Sequence, residues 1–274
     1  MPHLNLMHLM NLTSTNSGTA GTDVRTGLGI PGFAHPLLAP TEWSRLTCPG
    51  TPLHWVVLNV ADGPGVQPDP DCLAAAGRLR NAGVRVLGHL DTAYGLRGFG
   101  EVISDAHRFL DWYQVDGFLL NRCPADLPAL PEVRRTAATL RVLHETAHIV
   151  LGHGTHPHPA YAEHGDQLVT FSGAWSDYRW SQVAEWTADH PPERFCHFVH
   201  GVPRPHLDEA LRIARWQGAA TIYFTDQTTP TPTTTHRTLT TTHPTPTTHP
   251  TDPWESMPGY WDDIVSRIGT GVSE

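Results

Sequence analysis

A single-domain α/β fold, a (β/α)8 barrel of the TIM type, is what this sequence predicts, on three observations. Eight short apolar runs recur along the chain, stretches with helical spacing separate them, and the runs are continuous rather than alternating. Continuous runs belong to strands buried on both faces, the habit of parallel sheets covered by their crossover helices. A doubly wound open sheet is the runner-up, and counting eight strand–helix units favours the closed barrel.

In order, the runs are Leu28–Ala34, Leu53–Val60, Val84–Leu90, Val115–Leu120, His148–Leu151, Gln167–Phe171, Phe195–Val199 and Thr221–Thr225. Each is rich in β-branched or aromatic residues. Between them, Asp71–Ala82 carries Leu73, Ala76 and Leu79 at helical spacing, and Phe99–Tyr113 puts Val102, Ile103, Ala106, Phe109 and Leu110 on one stripe. Leu130–Glu145, Trp180–Asp189, Leu207–Gln217 and the closing Trp261–Ile268 read the same way. The barrel is expected over residues 27–268, with a disordered N-terminal tail at 1–26 and a short tail at 269–274. Residues 227–252, a Thr/Pro/His tract between the eighth strand and its helix, lack the apolar side chains that would order a backbone. They read as a disordered insertion over the face where barrel sites form. Their histidines (His236, His243, His249) show no ligand spacing.

The 274 residues suffice for a large core. Net charge is −9, and all 18 basic residues are arginine. The absence of lysine removes Schiff-base, P-loop-lysine and lysine general-base chemistry. An acidic chain without a basic run argues against nucleic acid as a partner. No apolar run is long enough to span a membrane. The N-terminus lacks the charged and apolar regions of a signal peptide, so the expected location is cytoplasmic as written, or secreted if the true start lies upstream. Cys48, Cys72, Cys123 and Cys196 share no zinc spacing and read as buried or semi-buried free thiols. No cofactor is implied, and nothing in the sequence sets an oligomeric state.

Residues 83–121 read GVRVLGHLDTAYGLRGFGEVISDAHRFLDWYQVDGFLLN. A strand ending in GHLDTAYG, an amphipathic helix ending in WY and then VDGF resemble the spherulation-specific family 4 (spherulin-4) proteins. The segments LNVADGPG (58–65), VLGHGT (150–155), FSGAWSDY (171–178), FVHGVP (198–203) and PWESMPGYW (253–261) agree in order. The resemblance implies a glycoside-hydrolase-related barrel whose characterised members attack α-1,4-linked, galactosamine-containing polysaccharides with a pair of carboxylates. It therefore implies an amino-sugar glycan as partner.

The same resemblance places the family's carboxylates at the ends of the fourth and sixth strands, where this chain has Asn121, Arg122 and Ser172. Glycoside hydrolysis by the usual route needs one carboxylic acid to protonate the leaving oxygen and one carboxylate as nucleophile or base. An amide, a guanidinium and an alcohol cannot fill those roles. Either the chain is a degenerate hydrolase that binds glycan, or other groups have taken over. The expected pocket lining is His35, Asn59, His89, Asp91, Tyr94, Asn121, Arg122, His153, Ser172, Trp175, Asp177, Tyr178, His200 and Asp226. Asp91 and Asp226 are the candidate replacement carboxylates, each able instead to cap a following turn. Arg122 suits an anionic group, or else pairs with Asp91 or Asp177.

Trp175, Tyr178, Tyr94 and Trp254 sit in post-strand loops, where flat rings could stack on sugars. Trp55, Trp112, Trp180, Trp186 and Trp216 read as core or helix-packing residues. His89 and Asp91 share a strand face, and His35, His153 and His200 come from other strand ends, yet no HxH or HExxH pair appears, so no metal is expected. Two further readings stay open: a metal-dependent or acid–base barrel enzyme acting on a small anionic substrate, and a non-catalytic interaction protein.

Overall fold

The computed structural model describes residues 25–229 and 252–269. Most of both tails and of the Thr/Pro/His tract, with His236, His243 and His249, lies outside the described residues. Eight parallel strands pair in sequence order and close on themselves. They are β1 (Gly27–Ile30), β2 (Leu53–Leu58), β3 (Val86–Asp91), β4 (Gly117–Asn121), β5 (His148–Leu151), β6 (Gln167–Ala174), β7 (Phe195–His200) and β8 (Thr221–Phe224). Closure falls to β1, which pairs with β2 on one side and β8 on the other. All eight apolar runs become strands, because buried apolar side chains on both faces leave no solvent side to alternate towards.

The outer layer contains α1 (Pro40–Arg45), α2 (Pro70–Asn81), α3 (Phe99–Arg108), α4 (Leu130–Leu143), α5 (Trp175–Tyr178), α6 (Leu207–Trp216) and α7 (Trp261–Gly269). Asp69 starts α2 by accepting the amide N–H groups of Asp71 and Cys72 at 3.0 and 2.9 Å, with Pro70 at the first helical position. The stripe read over Phe99–Tyr113 is continuous, but its last turn, Phe109–Tyr113, widens into a π-helix that stops at Gln114 in the left-handed conformation (φ 52°).

The helix read over Trp180–Asp189 is a correction. That segment holds only a 3₁₀ turn at Glu185–Asp189. Trp180 is 79% exposed, with the Arg179 guanidinium 5.8 Å from its ring, and Trp216 is 71% exposed at the end of α6. Neither is the packing residue expected, whereas Trp55 is fully buried and Trp112 and Trp186 pack against the core. After β5 the chain forms a 3₁₀ turn (Pro159–Glu163) in place of an α-helix. All four thiols are free; Cys48 is exposed and the other three are buried. Among the described residues, no helix is long and apolar enough to cross a membrane.

Towards the N-terminal ends of the strands the interior is plugged by Trp55. A Cβ on Gly29 would lie 2.6 Å from the Trp55 ring, so glycine is what makes room for that side chain. Trp55 Nε1 donates to Gln167 Oε1 at 2.6 Å, and Gln167 Nε2 donates to Thr221 Oγ1 and to the Glu193 carbonyl. This buried polar layer is satisfied, as burial without water requires. The open end of the barrel is the other one, at the C-terminal ends of the strands.

Candidate active-site cleft at the barrel mouth

Two adjoining cavities, of about 380 and 290 Å3, occupy the mouth and share the lining residues Leu119, Asn121, Ser172 and Phe198. Alternation along β4 turns Leu119 and Asn121, two residues apart, to the same interior face. On β6 strict alternation from Val169 would aim Phe171 inward. The register instead shifts between Val169 and Phe171. Thr170 and Phe171 both meet His197 on the outer side, Thr170 Oγ1 lying 3.1 Å from its Nε2, and Ser172 takes the interior position. This bulge re-aims the strand at the site.

The first lobe is walled by the loop after β1 (Pro31–His35), by Asn59–Asp62 after β2, by His89, and by Asp252, Trp254 and Glu255 ahead of α7. The second is walled by Tyr94, Arg122, Gly152, His153 and Gly154, with Val169 below. Four non-glycine residues around this rim, Asp62, Ala93, Tyr94 and Arg122, hold positive φ between 46° and 57°. That conformation costs free energy, and such residues concentrate at functional sites.

Of the residues expected from sequence, His35, Asn59, His89, Asn121 and Ser172 line the first lobe. Tyr94, Arg122 and His153 join Asn121 and Ser172 in the second. Asp91 stands behind Arg122, whose Nε donates to Asp91 Oδ1 at 2.8 Å while Nη2 meets Oδ2. The Ala93 N–H also donates to Asp91, at 2.9 Å. Burial pushes the Asp91 carboxyl upward, but these hydrogen bonds and the Arg122 charge outweigh it, leaving the group below the usual range. Asp226 is among the lining of neither cavity; its Oδ1 accepts the Gly259 N–H at 3.0 Å. His200 sits behind the cleft wall, its ring centroid 5.6 Å from Trp254.

Trp175 and Tyr178 are corrected. Both are buried beneath the rim, Tyr178 with its hydroxyl 2.8 Å from His197 Nδ1 and its ring against Phe171 and Phe224. The short helix α5 turns them onto the outside of the sheet, so neither offers a face to a sugar. Asp177, on the same turn, is exposed and accepts from Ser176 Oγ.

Three carboxylates that the sequence reading did not single out, Asp62, Asp252 and Glu255, line the first lobe. Burial raises the pKa of Asp252; burial and then the charges of Asp252 and Asp62 raise that of Glu255. The sequence signal for them is position: Asp252 and Glu255 flank Trp254, a residue placed to stack on sugar. His89 is 8% exposed, with Nδ1 buried and without a hydrogen-bond partner, and burial holds its pKa below the ordinary value.

One group of donors is close enough to suggest a metal: His35, Asp69 and Cys72. His35 Nε2 lies 3.1 Å from Asp69 Oδ1, the Leu37 N–H donates to His35 Nδ1, and Asp69 caps α2. Burial pushes the Cys72 thiol up to about 12. These atoms are committed to a helix cap and lack the ready thiolate that a soft metal takes. Cys123, beside the site, is likewise buried, and its thiol is raised.

Fold and cleft together define a (β/α)8 barrel protein with a solvent-open, polar cleft at the catalytic face of that architecture. The chain belongs to the spherulation-specific family 4, which matches residues 28–268. The crystal structure of Aspergillus clavatus Sph3 in complex with GalNAc is similar, with a TM-score of 0.70 at 21% identity, covering 90% of this chain and 98% of that one. A chitinase from Chromobacterium violaceum overlaps with a TM-score of 0.41 at 11% identity, over 64% of this chain and 67% of that one. No curated protein matches.

Proposed function

We propose that this barrel recognises an amino-sugar glycan along the mouth cleft and does not cleave it by the two-carboxylate route. The observation that carries the proposal is the pair Asn121 and Ser172, which line both lobes at the shared centre of the cleft. The family resemblance puts carboxylates at these positions. An amide and a hydroxyl there can hydrogen-bond sugar hydroxyls but supply neither the acid nor the nucleophile. Support for an amino sugar comes from the related Sph3 barrel, crystallised with GalNAc. Trp254 in the wall of the first lobe offers an aromatic face, and Tyr94, 62% exposed, another at the second.

The reading of a small anionic substrate is the weaker one. Arg122, the guanidinium that lines the second lobe, is already neutralised by Asp91, and the first lobe is lined by carboxylates. Binding of galactosamine-rich polymer, measured beside reducing-end release from it, tests the proposal.

A further inference from the structure

We infer that the first lobe seats the protonated primary amine of a de-N-acetylated hexosamine, held among Asp62, Asp252 and Glu255. This rests on the carbohydrate reading above and specifies which sugar the site prefers.

Charge is the first reason. Asp62 comes from the loop after β2, whereas Asp252 and Glu255 come from the segment ahead of α7, so two distant stretches bring carboxylates to one cavity of about 380 Å3. None of the described lining residues is an arginine, and the chain has no lysine. Arg122 lies in the other lobe and is held by both oxygens of Asp91. The lobe therefore carries negative charge with no arginine or lysine in its described lining to balance it, and Asp252 and Asp62 raise the cost of ionising Glu255.

Spacing is the second. The only described group of His, Cys, Asp and Glu donors close enough to share one ion is His35 with Asp69 and Cys72. The three carboxylates thus ring a volume and do not converge on a point. That arrangement suits an ammonium carried on a sugar ring better than a bare divalent ion, which draws its oxygen ligands into one shell.

The third is His89, which is independent of the acids. It lines the lobe, is more than nine-tenths buried, and its Nδ1 has no hydrogen-bond partner among the described residues. A buried nitrogen without a partner, on a side chain that lines a polar cavity, is a group that a ligand can satisfy, here a sugar hydroxyl beside the amine. Trp254, the aromatic wall between Asp252 and Glu255, fits both the pyranose C–H face and a neighbouring cation. An N-acetyl group, being neutral, would leave the carboxylates unbalanced.

The test is calorimetric titration of the full chain with matched tetramers of α-1,4-linked galactosamine, N-acetylgalactosamine and galactose. The free-amine tetramer is expected to bind about tenfold or more tighter than the other two and to weaken as salt rises. The preference should vanish in the Asp252→Asn/Glu255→Gln double variant. If that variant does not fold, Asp62→Asn, on a different loop, carries the comparison. Equal or tighter binding of the N-acetylated or neutral tetramer overturns the inference and leaves the carbohydrate reading standing. A free-amine preference that survives both salt and substitution places the amine elsewhere and also overturns it. Binding of none of the three overturns both.

Discussion

Arg122 grips Asp91 with two nitrogens at the mouth of the barrel, Nε lying 2.8 Å from Oδ1 and Nη2 meeting Oδ2. The pair removes Asp91, at the end of β3, from acid–base work and cancels the positive charge that would attract an anion. A left-handed backbone at Arg122 (φ 49°) accompanies this turn, and its carbonyl accepts the Tyr94 N–H and the Thr92 hydroxyl, both at 2.7 Å.

Asp91→Asn should therefore cost stability rather than reveal a catalytic acid. Arg122 is half exposed, so screening limits the loss to about 1 kcal/mol. The folded carboxyl titrates below its unfolded value, so its contribution is present above about pH 4 and is lost as pH falls through the folded pKa. Urea midpoints of wild type and variant should differ at neutral pH and converge in acid. A constant gap would refute the assignment.

His153 also makes the fold lose stability in acid, through the cost of burying a charged imidazole and at a higher pH. It is buried against Tyr161, with Nδ1 2.9 Å from the Pro124 carbonyl and Nε2 unpartnered, and burial lowers its pKa to about 4. The unfolded chain takes up this proton near pH 6.5 and the folded one does not. Stability should thus fall as pH drops from about 6.5 to about 4, by at most about 3 kcal/mol from this group. His153→Asn should flatten that part of the melting-temperature profile relative to wild type. An unchanged slope would assign the acid sensitivity to other histidines.

At Gly117 the barrel has no room. A Cβ there would lie 2.0 Å from the His148 carbonyl oxygen on the adjacent strand. Gly117→Ala should destabilise the fold by about 3 kcal/mol or more, since the obstacle is backbone. Thermal melting is the measurement, and a midpoint equal to wild type would show that β4 and β5 are not so closely paired.

Trp254 packs edge-on against Phe198, Tyr223 and His200 at 5.6–6.1 Å between centroids while lining the cleft. Trp254→Ala should weaken glycan binding about tenfold, roughly 1.4 kcal/mol. Titration calorimetry, with melting temperature followed in parallel, checks this; undiminished affinity would remove the stacking role.

The barrel was legible because each of its eight strands is an apolar run too short for a helix and bounded by polar turns. Long-range geometry was not. The register shift between Val169 and Phe171 leaves no local signature, so only coordinates show that Ser172, not Phe171, faces inward. The burial of Tyr178 depends on a partner, His197, nineteen residues away. The segment Trp180–Asp189 reads as helical, yet it forms only a 3₁₀ turn at Glu185–Asp189, because tertiary context overrides so weak a periodicity. Asp252 and Glu255 return over the mouth after a long Thr/Pro/His tract, a closure that no local motif encodes.

The most direct test of the central claim is reducing-end release from galactosamine-rich polymer by the wild-type chain, measured in the same samples as binding. Binding with release no faster than the polymer alone is the expected result. Enzyme-dependent release at wild-type Asn121, Arg122 and Ser172 would show that the cleft cleaves by another set of groups, and would contradict the account.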